Sequence, residues 1–253
     1  MAYPYDLKVV VSGKQVEVYK YKKNVWREYK SEKLEKIKEP KQLNIFEQQK
    51  IKKRKMKFSL CRTKTEIRRL VNANTNLNKF LTLTFAENIT DIKYTNYIFN
   101  QFIKRLTYHY DNVEYLAVPE FQKRGAVHYH LICNLPFVEA KKLENIWSHG
   151  FIKIKKMSEI NNIGVYMSKY LGKDLDERLF GKKKFFRSRG LNESVELIGW
   201  HATLFIEKFL SLIAPVYEKI FYTEWLGEID YKSYSLNHIP FKQGFERDVI
   251  YSP

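Results

Sequence analysis

The sequence predicts an α+β fold: an antiparallel sheet of the split-βαβ type flanked by helices, with extensions at both ends. Three observations carry this. Short runs of β-formers alternate in polarity. Between them lie stretches whose apolar residues recur at helical spacing. From residue 79 onward these pieces follow in the order β-α-β-β-α-β, with one more helix after them.

The N-terminal residues 6–22 read as a hairpin, with Leu7 to Val11 and Val16 to Tyr19 as β-rich arms and Ser12-Gly13-Lys14-Gln15 as the turn. Ser31 to Lys57 is charged and helix-prone, interrupted at Pro40, and ends in Lys52-Lys53-Arg54-Lys55-Met56-Lys57. Phe80-Leu81-Thr82-Leu83-Thr84-Phe85 is a strand. Thr90 or Asp91 can cap a helix running to about Tyr108, on which Tyr94, Ile98, Phe102 and Leu106 mark an apolar face. Val113 to Phe121 and Ala126 to Leu135 are strands joined by Gln122-Lys123-Arg124-Gly125. Val138 to Trp147 is an amphipathic helix with Gly150 as a C-terminal cap. Phe151 to Lys155 alternates like a half-buried strand. Asn161 or Asn162 then opens a helix that carries Tyr166 and Tyr170 and closes near Gly172. The last third mixes basic loops, Lys182 to Arg189, with an apolar helix near 202–221. This divides the chain into residues 1–64, a hairpin plus a basic helical segment; 65–195, the central domain; and 196–253, a mainly helical extension.

Composition narrows the function. The 253 residues hold 45 Lys+Arg against 28 Asp+Glu, a formal charge of +17. A hydrophobic content of 44% excludes wholesale disorder. No apolar run approaches the ~18 residues of a spanning helix; the most apolar stretch, Ala202 to Val216, carries Glu207 and Lys208. The N-terminus has no basic-then-apolar signal segment. Two cysteines, Cys61 and Cys133, make neither a disulfide framework nor a four-cysteine zinc site, and fit small buried residues in a reducing compartment. The basic excess points to a polyanion, with nucleic acid first. A surface kept basic for solubility alone gives the same number.

Two clusters carry chemistry. On a strand, His128 and His130 point to one face, two residues apart. If the hairpin centres near Arg124, Glu120 stands directly opposite His128, with Cβ atoms about 4.5–5.5 Å apart. Two imidazole nitrogens and a carboxylate can then hold a divalent cation with positions left open. A one-residue slip would send Glu120 to the other face. The second cluster is Tyr166-Met167-Ser168-Lys169-Tyr170-Leu171-Gly172-Lys173. On a helix Tyr166, Lys169, Tyr170 and Lys173 share a side. Nearby cations favour a phenolate and stabilise charge building on a phosphate. Tyrosines at this spacing also pack cores, and the helix alone does not decide.

The combination is more specific than its parts. A Leu81-Thr82-Leu83-Thr84 strand, a Glu120…His128-Tyr129-His130 hairpin and a tyrosine–lysine helix follow in that order. This resembles the HUH endonucleases, and among them the rolling-circle replication initiators of bacterial plasmids and phages. The resemblance covers roughly residues 65–200; Arg187-Ser188-Arg189-Gly190-Leu191 shares it. It implies a ferredoxin-like HUH domain over 65–195. It implies Mg²⁺ or Mn²⁺ held by Glu120, His128 and His130. It implies Tyr170 as the attacking residue, Tyr166 as a possible second nucleophile, and Lys169 or Lys173 as the cationic helper. The partner implied is single-stranded or hairpin DNA at a replication origin, in the cytoplasm of a bacterial host. No GxxxxGK[ST] motif occurs in the sequence, so strand separation is expected from a host helicase or from supercoiling. Lys52, Lys53, Arg54 and Lys55, with Lys182, Lys183, Lys184, Arg187 and Arg189, become the expected DNA-binding walls. An HUH-type transposase, a non-catalytic repressor on the same fold and an RNA-binding sheet are the competing readings; no membrane is implicated.

Overall fold

β-Formers at both ends of the chain pair with one another. The computed structural model describes residues 4–26, 44–157, 162–170, 178 and 181–236. β1 (Pro4–Ser12) and β2 (Gln15–Trp26) form the expected hairpin, longer than its sequence bounds. Then come α1 (Ile45–Ala73), β3 (Lys79–Phe85), α2 (Ile92–His109), β4 (Tyr115–Phe121), β5 (Val127–Cys133) and α3 (Ala140–Trp147). These are followed by β6 (Gly150–Lys156), α4 (Ile163–Ser168), β7 (Phe186–Arg187), β8 (Val195–Ile198) and α5 (Trp200–Phe205). α5 continues as a π-helical turn over Ile206–Leu210, and β9 (Tyr217–Thr223) and β10 (Gly227–Ser235) close the series. The protein is thus α+β with two antiparallel sheets and several helices.

The chain divides into two units, Leu43–Asn192 and Met1–Gln42 with Glu193–Pro253. This differs from three consecutive segments. The terminal unit holds a sheet of order β8-β1-β2-β10-β9. Val9, Val11, Val16 and Val18 cover one face of its hairpin and pack with Leu197, Ala202 and Phe205. Residues 196–236, expected to be mainly helical, instead carry β9 and β10, and the apolar helix ends by Leu210 rather than near 221. The β-branched and aromatic run from Tyr217 to Thr223 favours a strand once β10 offers it a partner.

In the larger unit the sheet order is β6-β3-β5-β4-β7, antiparallel at every pairing. β5, whose seven residues are all buried, lies between β3 and β4. Alternation sorts the strands into two faces. Leu81, Leu83, Phe85, Tyr129 and Leu131 join Ile98, Phe99, Phe102 and Leu106 of α2 and Leu143, Ile146 and Trp147 of α3 in one core. Each such side chain, fully buried, contributes about 1.5–3 kcal/mol. Asp91 caps α2 through Lys93 N–H at 2.8 Å. Tyr94, expected on the apolar face, is exposed, and Ile92, Thr95 and Phe99 take its place.

The opposite face has its own helical layer. Phe80, Leu116, Val118 and Ile132 pack with Ile67, Leu70 and Val71 of α1 and Met167 of α4. α1 is one helix of 29 residues, opened by a reciprocal Asn44–Glu47 capping box. Its buried positions, Met56, Thr63, Ile67, Leu70 and Val71, follow helical spacing toward the sheet. The basic run 52–57 therefore belongs to the sheet unit, not to the N-terminal hairpin. α3 ends on left-handed Ser148 at φ 59°, so Gly150 starts β6 rather than capping the helix. Cys133 is buried as expected, whereas Cys61 is exposed on α1. Among the described residues, no helix is long and apolar enough to cross a membrane.

Candidate active site

The site lies on the α1/α4 face of the larger sheet, at the end that those helices leave polar. The β4–β5 turn closes with Gln122 N–H on Ala126 O and Gly125 N–H on Gln122 O, both 2.8 Å. Gly125, at φ 90°, takes a conformation that a side chain would strain. The resulting register puts Glu120 opposite His128, the pairing that the turn arithmetic predicts.

Pairing across the strands arranges this face in rows. Phe151, Thr84, His128 and Glu120 form one row. Lys153, Thr82, His130 and Val118 form the next. Lys155, Phe80, Ile132, Leu116 and Arg187 form the third. The first two rows carry the imidazoles and the carboxylate, and the third is the apolar seat of the helices.

Glu120 bonds diagonally rather than straight across. The His130 Nε2–H donates to Glu120 Oε2 at 2.6 Å, and Thr82 Oγ1 lies 3.4 Å from His130 Nδ1. His128 Nε2 is buried and has no hydrogen-bond partner. Burial, with His130 and Arg124 adding to it and Glu120 opposing, pushes the His128 pKa down to about 4. The imidazole is therefore neutral near pH 7, the form that offers a lone pair. Among the described residues, no group of three His, Cys, Asp or Glu side chains stands ready to hold a metal ion. The Glu120–His130 hydrogen bond occupies two of the three expected donors with each other.

α4 delivers the tyrosines. Asn162 caps it, accepting from Val165 N–H at 3.0 Å. Gly164 lets α4 touch α1: a Cβ there would come within 2.3 Å of Arg68 O and 2.6 Å of Asn72 Oδ1. The Asn72 side chain accepts from Gly164 N–H at 3.0 Å. α4 ends at Ser168, shorter than expected, and Tyr170 sits in the turn that follows. Its ring stacks on His130 with centroids 3.9 Å apart. Its hydroxyl donates to Tyr166 Oη at 2.7 Å. Phe80 supports both tyrosines, at 5.4 and 5.3 Å between centroids.

The electrostatics of Tyr170 differ from the expectation of a cation-stabilised phenol. Burial raises its pKa, and the hydrogen bond with Tyr166 and the charge of Glu120 raise it further. Lys169 is exposed, and Lys173 lies outside the described residues. The cation found near the tyrosines is one the motif reading missed: Lys155 Nζ lies 6.0 Å from the Tyr166 ring centroid. Its signal was available in the polar positions of the Phe151–Lys155 alternation.

The expected DNA-binding residues are dispersed over the same unit. Lys52, Lys53, Arg54 and Lys55 are exposed on α1. Lys182, Lys183 and Arg189 are exposed near β7, and Lys183 Nζ lies 4.6 Å from the Phe186 ring centroid. Arg187 stands opposite Leu116 at the sheet edge. Lys184 is half-buried and donates to Ser59 Oγ of α1. Burial, and then Arg62, lowers its pKa.

Fold and site together define an α+β protein whose sheet face gathers two imidazoles, a carboxylate and two phenols. Residues 78–175 match the family model of the replication-associated protein ORF2. The match begins one residue before β3 and runs past Tyr170, covering less than half of the chain. No curated protein and no solved structure matches this chain.

Proposed function

We propose that this protein initiates rolling-circle DNA replication by nicking and rejoining a DNA strand through a tyrosine. The convergence of Tyr170 with His130, Glu120 and His128 on one sheet face carries the reading. The match of residues 78–175 to replication-associated proteins supports the replication role. The antiparallel order with β5 between β3 and β4 supports an HUH-type split-βαβ domain.

In this reading the Tyr170 phenol oxygen attacks the scissile phosphorus. The P–O3′ bond breaks, the phenol proton leaves, and the departing 3′-oxygen gains one. The products are a 5′-phosphotyrosine and a free 3′-OH that can prime synthesis. The new link keeps the phosphodiester energy, so the rejoining step requires no ATP. Tyr166, hydrogen-bonded to Tyr170, is placed to act second. Lys169 or Lys173 is the expected cationic helper. Glu120, His128 and His130 have the donor chemistry for Mg²⁺ or Mn²⁺, and the unpartnered, buried His128 Nε2 fits a ligand role. Such an ion would polarise the scissile phosphate. Occupancy would replace the Glu120–His130 hydrogen bond.

The test is incubation with labelled single-stranded origin DNA and Mn²⁺, followed by denaturing electrophoresis. Wild-type protein is expected to form a denaturant-stable adduct, lost with chelator and in His128→Ala. Metal-independent DNA binding with no adduct would instead support a repressor on the same fold.

A further inference from the structure

Edge strand β6 brings three side chains onto the site face that the motif reading did not assign. Phe151 shares the row of His128 and Glu120, Lys153 the row of His130, and Lys155 the row of Phe80. Ile152 and Ile154, pointing the other way, pack in the α2/α3 core and anchor the strand.

The start of β6 is pinned. A Cβ on Gly150 would come within 2.3 Å of Thr84 O, and Ala86 N–H donates to His149 O at 2.9 Å. Phe151 follows directly, yet 67% of it is exposed. An aromatic ring fixed on rigid backbone and left open to solvent is a poor core residue and a good stacking surface. Lys153 and Lys155 are exposed, and among the described residues neither has a carboxylate partner.

We infer that β6 is the track for the single-stranded substrate, with a nucleobase stacked on Phe151 and backbone phosphates on Lys153 and Lys155. The inference rests on the proposed reading of single-stranded DNA as substrate. Alternate residues of a strand stand ~6.6 Å apart, a step comparable to one nucleotide of stretched backbone. The chemistry is graded along the strand: a π-face beside the imidazoles, then two cations, the second near Tyr166. Stacking is sequence-tolerant and phosphate contact is sequence-blind, so β6 positions DNA without choosing the nick site.

The test uses the full chain and a fluorescently labelled oligothymidylate. Binding is followed by anisotropy across a salt series without divalent metal, and adduct formation on origin DNA is followed with Mn²⁺. Phe151→Ala is expected to weaken oligothymidylate binding about tenfold, and Phe151→Tyr to retain it. The pair Lys153→Gln/Lys155→Gln should flatten the slope of log K against log salt by about 0.7 per lysine. Lys153→Arg/Lys155→Arg should restore the slope. In adduct formation the same losses should raise KM more than they lower kcat. Unchanged affinity and slope in Phe151→Ala and in the Gln pair, with wild-type adduct formation intact, would overturn the role of β6 and leave the nicking reading standing. Wild-type protein that binds through these residues but forms no adduct would remove the nicking reading and leave the track.

Discussion

The Tyr170 ring lies on the His130 imidazole, centroids 3.9 Å apart and planes 29° from parallel. One helix turn and one sheet strand thus meet at the point where the proposed nucleophile and a proposed metal ligand must both act. Moving α4 moves the tyrosine relative to the histidine, so the packing beneath α4 bears directly on the chemistry.

Gly164 sets the distance between α4 and α1. Gly164→Ala places a methyl group against Arg68 O and the Asn72 carboxamide. Backbone cannot yield as a side-chain tip can, so overpacking should cost about 1–3 kcal/mol. Thermal melting should show a drop of several degrees. The displaced α4 should slow adduct formation more than it weakens DNA binding, a split that single-turnover kinetics and anisotropy resolve together.

The exposed basic run of α1 is expected to bind phosphate. Replacing Lys52, Lys53, Arg54 and Lys55 with Gln should weaken DNA binding and flatten its salt dependence, by about 0.7 in log–log slope for each phosphate that a single strand no longer has neutralised. Adduct formation at saturating DNA should be little changed. Affinity that does not move would make the run a solvated helix face.

The two cysteines differ in reactivity. Burial pushes the Cys133 thiol up to about 12, and a thiolate is the reactive form. Cys61 is exposed. Iodoacetamide at neutral pH should add one group to the native protein, mapped to Cys61 by mass spectrometry. Denaturation should expose the second thiol. Labelling of Cys133 in the native state would contradict its place in the α2/α3 core.

Lys173 is expected to assist chemistry rather than binding. Lys173→Ala should slow adduct formation at saturating DNA while leaving the dissociation constant nearly unchanged. Equal losses in both would make it a DNA-binding residue.

Much of the central sheet was legible because its signals are local. The Gln122–Gly125 turn fixes the β4–β5 register, and period-two alternation fixes which face His128 and His130 share. The terminal sheet was not legible. Its β10–β2 pairing joins Tyr231 to Tyr19 and Ser235 to Gln15, partners from opposite ends of the chain that no short window contains. The Tyr217–Thr223 strand was hidden behind an apolar run that begins as helix. In the site, the cation near Tyr166 was sought on its own helix and found on β6, because strand pairing rather than sequence distance brings Lys155 there. Trp147 is core as expected, whereas Trp26, Trp200 and Trp225 are exposed.

The most direct test of the account maps the phosphorylated residue after Mn²⁺-dependent cleavage of single-stranded origin DNA. Digestion and mass spectrometry of the wild-type adduct should place the nucleotide on Tyr170, and Tyr170→Phe should abolish the first nick while Tyr166→Phe still forms an adduct. An adduct that persists in Tyr170→Phe and disappears in Tyr166→Phe would contradict the central claim.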